Sequence, residues 1–303
     1  MISRVAILGT GLIGSSFALA LKQRATDLRI VGCDRPEVLT RARAAGIIDD
    51  AESNPVEAIA GCQLILLAAP VQANLELLRT IAPHLPPDAL VTDAGSTKAG
   101  ITALATELFG GDALRRFLPG HPIAGKEVSG VEHADGNLFV DASWVLTPEQ
   151  GLHALIAPEF SRGLHAEFMR LLETIRARIV VTTPAEHDRV LAYTSHLPQL
   201  VATALAATLL DAMQNQPGLR ELSGRALREM TRLAASDPRM WSDIASQNRA
   251  NLASALREME QALARLRLSL GTEEFTHEFE RARRFDPDAT LALKESTDPP
   301  KFW

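Results

Sequence analysis

The first stretch whose residue types and spacing could do chemistry is Gly9-Thr10-Gly11-Leu12-Ile13-Gly14, which fits G-x-G-x-x-G. An apolar run, Arg4–Leu8, precedes it, and a helical pattern follows over Leu12–Arg24. Asp34 lies 20 residues beyond Gly14, at the end of a second apolar run, Arg29–Cys33. That context is what a dinucleotide-binding βαβ turn requires. Gly9 permits the tight turn, Gly11 lets the backbone approach a pyrophosphate, and Gly14 lets the helix pack close to the strand. The helix start, Leu12 and Ile13, would offer free N–H groups to the phosphates. Asp34 would accept hydrogen bonds from the adenosine ribose 2′- and 3′-hydroxyls and repel a 2′-phosphate, which favours NAD over NADP; Arg35 beside it would offset that repulsion. Ala69 and Pro70, in Ala68-Ala69-Pro70-Val71 at the end of a later strand, are a second expected cofactor contact.

Three further segments carry polar groups of chemical use. Asp93-Ala94-Gly95-Ser96-Thr97-Lys98 and Gly120-His121-Pro122-Ile123-Ala124-Gly125 each follow a strand, and open α/β sheets bind ligands at strand C-terminal ends. Ser195, Gln199 and Thr203 stand at i, i+4 and i+8 with His196 beside them, a polar stripe on an otherwise apolar helix. Pro198 has no N–H, so a kink is expected there that frees the carbonyl of Thr194. Such a helix is either a pocket wall or an interhelical polar seam. Arg232 lies in an apolar stretch and needs an anionic partner, either a structural carboxylate or a bound one. Asp237-Pro238 has the form of an N-cap followed by Pro at N1. His187 and His196 are nine positions apart, which on a regular helix places them on opposite faces, so no shared metal ion is expected, and no other metal constellation is read. His84, His133, His153, His165 and His277 stand in polar surroundings and are expected at the surface.

The elements that must position these groups alternate through the first half. Strands are expected at Arg4–Leu8, Arg29–Cys33, Gln63–Ala68 and Ala89–Thr92. Helices are expected at Leu12–Arg24, Glu37–Ala45, Gln72–His84 and Lys98–Phe109. Short apolar strands between helices imply a parallel sheet covered on both faces, a doubly wound α/β domain. Later strand candidates are Phe117–Pro119, Trp144–Thr147 and Arg178–Thr182. After Pro184 the pattern is helical: Ala185–Met213, Arg225–Ala235, one long helix over Arg239–Leu270, and Glu273–Arg284. The domain boundary is placed at Thr183–Pro184, giving 1–183 and 184–303. On the long helix, Trp241, Ile244, Asn248, Leu252, Ala255, Met259, Ala262 and Leu266 form an apolar stripe with one polar break, expected to pair two subunits. The tail, Phe285–Trp303, is expected on the surface or mobile, and too short for a regulatory domain.

Composition narrows the classes. The 303 residues hold 31 basic and 37 acidic side chains, a net charge of −6, with no basic run, which argues against nucleic-acid and anionic-membrane partners. No apolar segment is long enough to span a membrane, and the N-terminus lacks a signal-peptide pattern. Cys33 and Cys62 are too few for a disulfide framework and read as buried hydrophobes in a reducing cytoplasm.

Taken in order, the glycine fingerprint, Asp93–Lys98, Gly120–Gly130 (GHPIAGKEVSG), His187-Asp188, Ser195–Pro198 (SHLP) and Thr231–Ile244 (TRLAASDPRMWSDI) resemble the prephenate/arogenate dehydrogenases of tyrosine biosynthesis. The resemblance implies a Rossmann domain followed by a helical dimerisation domain, a homodimer, and NAD-dependent oxidative decarboxylation of a cyclohexadienyl carboxylate. It assigns to His121 the base that takes the ring hydroxyl proton, as suits a histidine neutral near pH 7, with Ser96 sharing that hydroxyl. It gives Arg232 the substrate's side-chain carboxylate and places Ser195, His196, Gln199 and Lys126 around the substrate. Gln199 stands where the family usually has His, and Lys126 where many members have Thr, which leaves prephenate against arogenate open. Dehydrogenases of the 6-phosphogluconate or 3-hydroxyisobutyrate type share the two-domain plan, and a non-catalytic NAD-binding sensor is the alternative from another class.

Overall fold

A computed structural model describes residues 1–286 except 26, 127, 156, 158, 159, 161, 216, 217, 219 and 220. The chain runs through β1 (Arg4–Leu8), α1 (Leu12–Arg24), β2 (Arg29–Cys33), α2 (Pro36–Ala44), β3 (Asp50–Glu52), α3 (Pro55–Ala58), β4 (Leu64–Leu67), α4 (Val71–Ile81), β5 (Leu90–Asp93), α5 (Ala99–Phe109), α6 (Ala113–Arg116) and β6 (Phe117–Leu118). These strands form one wholly parallel sheet in the order β3-β2-β1-β4-β5-β6. Strand order reverses between β1 and β4, which opens a crevice beyond their C-terminal ends. Side chains alternate between the two faces. Val5, Ile7, Leu64 and Leu66 enter one core, while Ala6, Leu8, Ile65 and Leu67 enter the other. A strand covered on both faces must be apolar throughout, which is why these runs were legible.

The stretch expected as one strand, Phe117–Pro119, divides. Pro119 cannot donate to a ladder, and its carbonyl accepts from the Thr147 N–H at 2.9 Å. Beyond it the chain leaves the main sheet for a second one, made of β7 (Gly120–Pro122), β8 (Ser143–Leu146) and β9 (Arg178–Val181), with α7 (Leu152–Leu155) and α8 (Gly163–Thr174) between the last two. β7 and β8 are antiparallel, with His121 opposite Val145, and β8 and β9 are parallel. Trp144 of β8 is fully buried. Its ring centroid lies 5.4 Å from Phe17 of α1, 5.2 Å from Phe139 and 6.3 Å from Phe168 of α8, which fuses the small sheet to the flank of the large one. His165, expected at the surface, is buried on α8. Its Nε2 lies 2.8 Å from the Leu114 carbonyl and its ring packs edge-on to Phe160. A histidine can be buried when one nitrogen is satisfied and the ring has apolar company.

The helical part comprises α9 (Pro184–Leu191), a π-helical turn (Ala192–His196), α10 (Leu197–Asn215), α11 (Arg225–Thr231), a 3₁₀ turn (Arg232–Ala235), α12 (Pro238–Gln247), α13 (Arg249–Leu268) and α14 (Glu273–Ala282). The irregularity expected at Pro198 takes the form of the π turn, in which the Leu197 N–H bonds to the carbonyl of Ala192, five residues back. The long helix expected over Arg239–Leu270 is interrupted at Asn248 (φ −118°, ψ 29°). Asp237 caps α12 by accepting from the Arg239 N–H at 2.9 Å.

By their internal contacts Met1–Leu252 form one compact unit and the chain from Ala253 a second. Ile244, Asn248 and Leu252, the early part of the expected dimer stripe, are buried within the first. In the second, the Phe275 and Phe279 rings, one helical turn apart, meet at a 50° tilt with centroids 4.9 Å apart, Arg265 pairs with Glu278 at 3.4 Å, and Ala262, Leu266, Phe279 and Ala282 line a groove. Most of the tail, 287–303, lies outside the described residues. Among the described residues no helix is long and apolar enough to cross a membrane.

Truncating the aromatic hub should be costly. Trp144→Ala is expected to lower unfolding free energy by about 3–5 kcal/mol, measured by urea denaturation; a loss below about 1 kcal/mol would mean that the hub does not hold the small sheet.

Candidate active site

The crevice at the C-terminal ends of β1 and β4 is lined by backbone. Gly9 has φ +105°, and a Cβ there would come within 2.6 Å of the Ala68 carbonyl carbon and the Ala69 nitrogen. Only glycine fits where the two strands approach so closely. A Cβ on Gly11, by contrast, would meet no atom within 4 Å. Gly11 is the N-cap of α1 and supplies no side-chain cap, so the Leu12 and Ile13 N–H groups keep their capacity for an anion. A Cβ on Gly14 would press on the Ile7 side chain at 2.8 Å. At the end of β2 the Asp34 carboxylate is already oriented: Oδ2 accepts from the Thr10 N–H at 2.8 Å, and Oδ1 from the Arg35 N–H at 2.8 Å. The Arg35 guanidinium is exposed and pairs with Glu37 at 3.5 Å. The Ala69 N–H is held by Asn74 Oδ1 at 3.0 Å, and Pro70 precedes α4. An open glycine, an uncapped helix start and a fixed carboxylate together suit a dinucleotide. Cys33, adjoining Asp34, is inert: burial, with Asp34 and Glu52 nearby, pushes its thiol up to about 11.

One strand along, a buried ion pair links β5 to β7. Lys98 and Asp93 are both essentially solvent-free and bonded to each other. Asp93 Oδ2 also accepts from the Gly95 N–H at 2.9 Å, and Oδ1 from the Gly120 N–H at 3.1 Å. Lys98 Nζ donates to the Gly120 carbonyl at 2.7 Å. The pair thus grips both polar groups of the residue before His121. Burial drives the Lys98 ammonium below its ordinary value, opposed by Asp93 and Asp188.

His121 is half-buried. Its Nδ1 lies 2.9 Å from His187 Nε2, the rings meeting edge-on at 68°. His187 Nδ1 lies 2.8 Å from Asp188 Oδ1. The Asp188 carboxylate further accepts from the Lys98 N–H at 2.8 Å and the Ala99 N–H at 2.9 Å, capping α5 from another element. The Asp188 carbonyl accepts from Asn248 Nδ2 at 2.7 Å. Asn248 also adjoins His196 Nδ1 at 3.4 Å, and the His196 ring packs edge-on to Trp241 at 5.8 Å. Burial, then His187, Lys98 and His196, holds His121 well below the usual histidine range. Burial likewise lowers His196 to about 4, against the pull of Asp188. Both rings are neutral near pH 7, as an acceptor of protons must be.

The comparisons with known proteins point one way. Family models described as prephenate dehydrogenase, nucleotide-binding domain and prephenate dehydrogenase, dimerization domain match residues 17–181 and 183–281. The chain belongs to the prephenate dehydrogenase family. It is 39% identical to a prephenate dehydrogenase of Lactococcus lactis over 81% of this chain and 65% of that one, so it spans about two thirds of that relative's length. A cyclohexadienyl dehydrogenase of Zymomonas mobilis is 32% identical over 97% of both chains. A crystal structure of prephenate dehydrogenase from A. aeolicus in complex with hydroxyphenyl propionate and NAD+ superposes with TM-score 0.80 at 30% identity, covering 93% of this chain and 96% of that one.

Within this dehydrogenase fold the expected site residues differ in setting. Ser96 is half-buried in the loop after β5, and Ser195 is exposed in the π turn. Arg232 is exposed at the start of the 3₁₀ turn. Gln199 is buried and bonded inside the protein. Its Nε2 donates to the Leu233 carbonyl at 2.7 Å, and its Oε1 accepts from Ser236 Oγ at 3.2 Å, so it holds the turn that Arg232 begins. Lys126 is turned to Asp135 at 3.2 Å and to the His133 carbonyl at 3.1 Å. The regular-helix count between His187 and His196 does not apply, because the wide π turn Ala192–His196 lies between them and shifts the helical phase. Sequence reasoning missed the roles of Asp93, Lys98, His187, Asp188 and Asn248. The polar break in the helical stripe was the one available sign of Asn248; the others stood inside quoted motifs without a partner in view.

The neutral histidines set a pH dependence. Unfolding lets His121, His165 and His196 bind protons at the ordinary value of 6.5. The unfolded chain therefore binds more protons below that value, and stability falls as pH drops from 6.5 toward 4. His196 alone accounts for up to about 3 kcal/mol of that loss. Urea midpoints at pH 7.5 and 5 are expected to differ markedly, and His196→Phe to narrow the gap; an unchanged gap would remove His196 as a contributor.

Proposed function

We propose that this chain is an NAD-dependent prephenate dehydrogenase converting prephenate to 4-hydroxyphenylpyruvate. Arogenate, giving tyrosine directly, is the alternative ring substrate. The single observation that carries the reading is His121, neutral and partly open, on β7, the strand entered just beyond the end of β6, and gripped at Gly120 by a buried ion pair. The substrate ring carries a hydroxyl at C4 and a carboxylate at C1. NAD, when bound, would supply the acceptor for the hydride that leaves C4. His121 accepts the hydroxyl proton as C4 gains carbonyl character, Ser96 sharing that hydrogen bond, and loss of carbon dioxide from C1 makes the ring aromatic. Gly9, Gly11, Leu12, Ile13 and Gly14 would cradle the pyrophosphate, Asp34 the adenosine ribose, and Ala69 and Pro70 the far side of the crevice. The pairing of Arg35 with Glu37 leaves Asp34 to set the cofactor preference.

Arg232 would grip the substrate's side-chain carboxylate bidentately. Gln199 acts on the substrate through that turn, since both ends of its amide are already bonded. Ser195 and His196 complete the wall, and Lys126, paired with Asp135, would favour the more anionic prephenate only by turning inward. We assign cofactor binding to 1–183, and substrate binding and dimerisation to 184–303. A homodimer is supported by the description of the second family model and by the exposed Leu263, Leu268 and Phe279. The acidic balance disfavours nucleic acid, and two free buried cysteines suit the cytoplasm.

His121→Asn is expected to lower kcat by about 10²-fold or more, with NAD affinity nearly unchanged, read from NADH formation with prephenate and from NAD titration. Near-normal turnover would remove His121 as the base. Comparing kcat/KM for NAD and NADP should show a preference for NAD; equal values would mean that Arg35 overrides Asp34.

A further inference from the structure

The hydrogen between the His121 and His187 rings can be traced from the Asp188 carboxylate, one ring removed from His121. An ionised carboxylate has only acceptors, and that of Asp188 already takes hydrogen bonds from the Lys98 and Ala99 N–H groups. The 2.8 Å contact with His187 Nδ1 therefore has its hydrogen on the histidine. In its neutral form His187 then has a bare Nε2. That nitrogen lies 2.9 Å from His121 Nδ1, and one hydrogen must occupy the space between two ring nitrogens so close. It can come only from His121. The edge-on meeting of the rings, at 68° with centroids 5.1 Å apart, leaves the contact in line for a bond from ring nitrogen to ring nitrogen.

We propose that His187, itself held by Asp188, is a positioning residue that fixes His121 in the Nδ1–H form and leaves its Nε2 lone pair for the substrate hydroxyl. Neutral histidine in water favours the opposite form, with the hydrogen on Nε2. In that form His121 would present a donor to a hydroxyl whose proton it has to accept. The chain from Asp188 through His187 to His121 thus makes the acceptor before any substrate arrives. When His121 takes the hydroxyl proton at Nε2, its Nδ1–H bond to His187 strengthens, because the donor has become charged, so the same contact that sets the tautomer also steadies the imidazolium. Asp188 owes its fixed orientation to the start of α5, and His187 its ring angle to Asp188, so the lock reaches His121 through groups that need not touch the substrate.

The kinetic consequence rests on the dehydrogenase reading; the tautomer does not, and it can be read without substrate. The test is long-range proton–nitrogen correlation NMR on full-length enzyme with ¹⁵N-labelled histidine at pH 7.5, the His121 ring being assigned by the signals lost in His121→Asn. Wild-type enzyme is expected to show His121 with Nδ1 protonated and Nε2 bare. His187→Phe keeps a ring but removes the acceptor, and should move His121 toward Nε2–H. His187→Gln, whose side-chain oxygen can stand in for Nε2, should retain Nδ1–H. With prephenate and NAD, His187→Phe is expected to lose roughly 10-fold in kcat, the scale of one hydrogen bond, with KM little changed, and His187→Gln to recover part of it. Wild-type His121 protonated at Nε2, or an unchanged tautomer in His187→Phe, overturns the proposal. No turnover of either ring substrate by wild-type enzyme that nonetheless shows the Nδ1–H form would overturn the dehydrogenase reading and leave the lock standing.

Discussion

The site depends on where the charge of Asp188 is put. A carboxylate taken out of water must be fully bonded or it is costly, and Asp188 is 2% exposed. Its partners come from different elements: the Lys98 and Ala99 N–H groups at the start of α5, and the adjacent His187 ring. The N-cap residue of α5, Lys98, offers no cap of its own. Asp188 supplies it from α9, where negative charge meets the positive end of the helix dipole. One group therefore caps a helix of the nucleotide-binding half, anchors the first helix after it and orients the histidine between them.

The neighbouring pair obeys the same rule. Lys98 turns its backbone toward Asp188 and its ammonium toward Asp93 and Gly120. Breaking such a pair strands a buried charge, so its geometry is strongly determined. That rigidity passes to His121 as the next residue of the strand. The cation is also one reason why His121 stays uncharged: in a poorly hydrated cluster that already holds an ammonium, a further positive charge is doubly disfavoured.

Asn248 shows how a distant bond reshapes a helix. The stripe from Trp241 to Leu266 reads as one continuous face, yet the backbone breaks at Asn248 so that its amide can reach the Asp188 carbonyl at 2.7 Å. A carbonyl of α9, beside a π turn, is bonded by a side chain some 60 positions later in the chain.

Much of the fold was legible because it rests on local regularities. β1, β2, β4 and β5 are buried on both faces and must be unbroken apolar runs; Gly9, Gly11 and Gly14 answer backbone constraints of one turn; Asp237-Pro238 starts a helix by local capping. His121, Arg232 and Asp34 stood out by type and position. What the sequence did not disclose are the partnerships: Lys98 with Asp93 and Gly120, His187 with His121, Asp188 with α5, Asn248 with α9, His165 with Leu114, and Gln199 with Leu233. Each joins residues whose separation no periodicity encodes. The sequence determined which side chains could be acids, bases or cations and which faces were apolar. The tertiary structure decided which charges are paired and which rings are kept neutral, because those properties depend on desolvation and on the direction of a few hydrogen bonds, which exist only once distant elements are packed together.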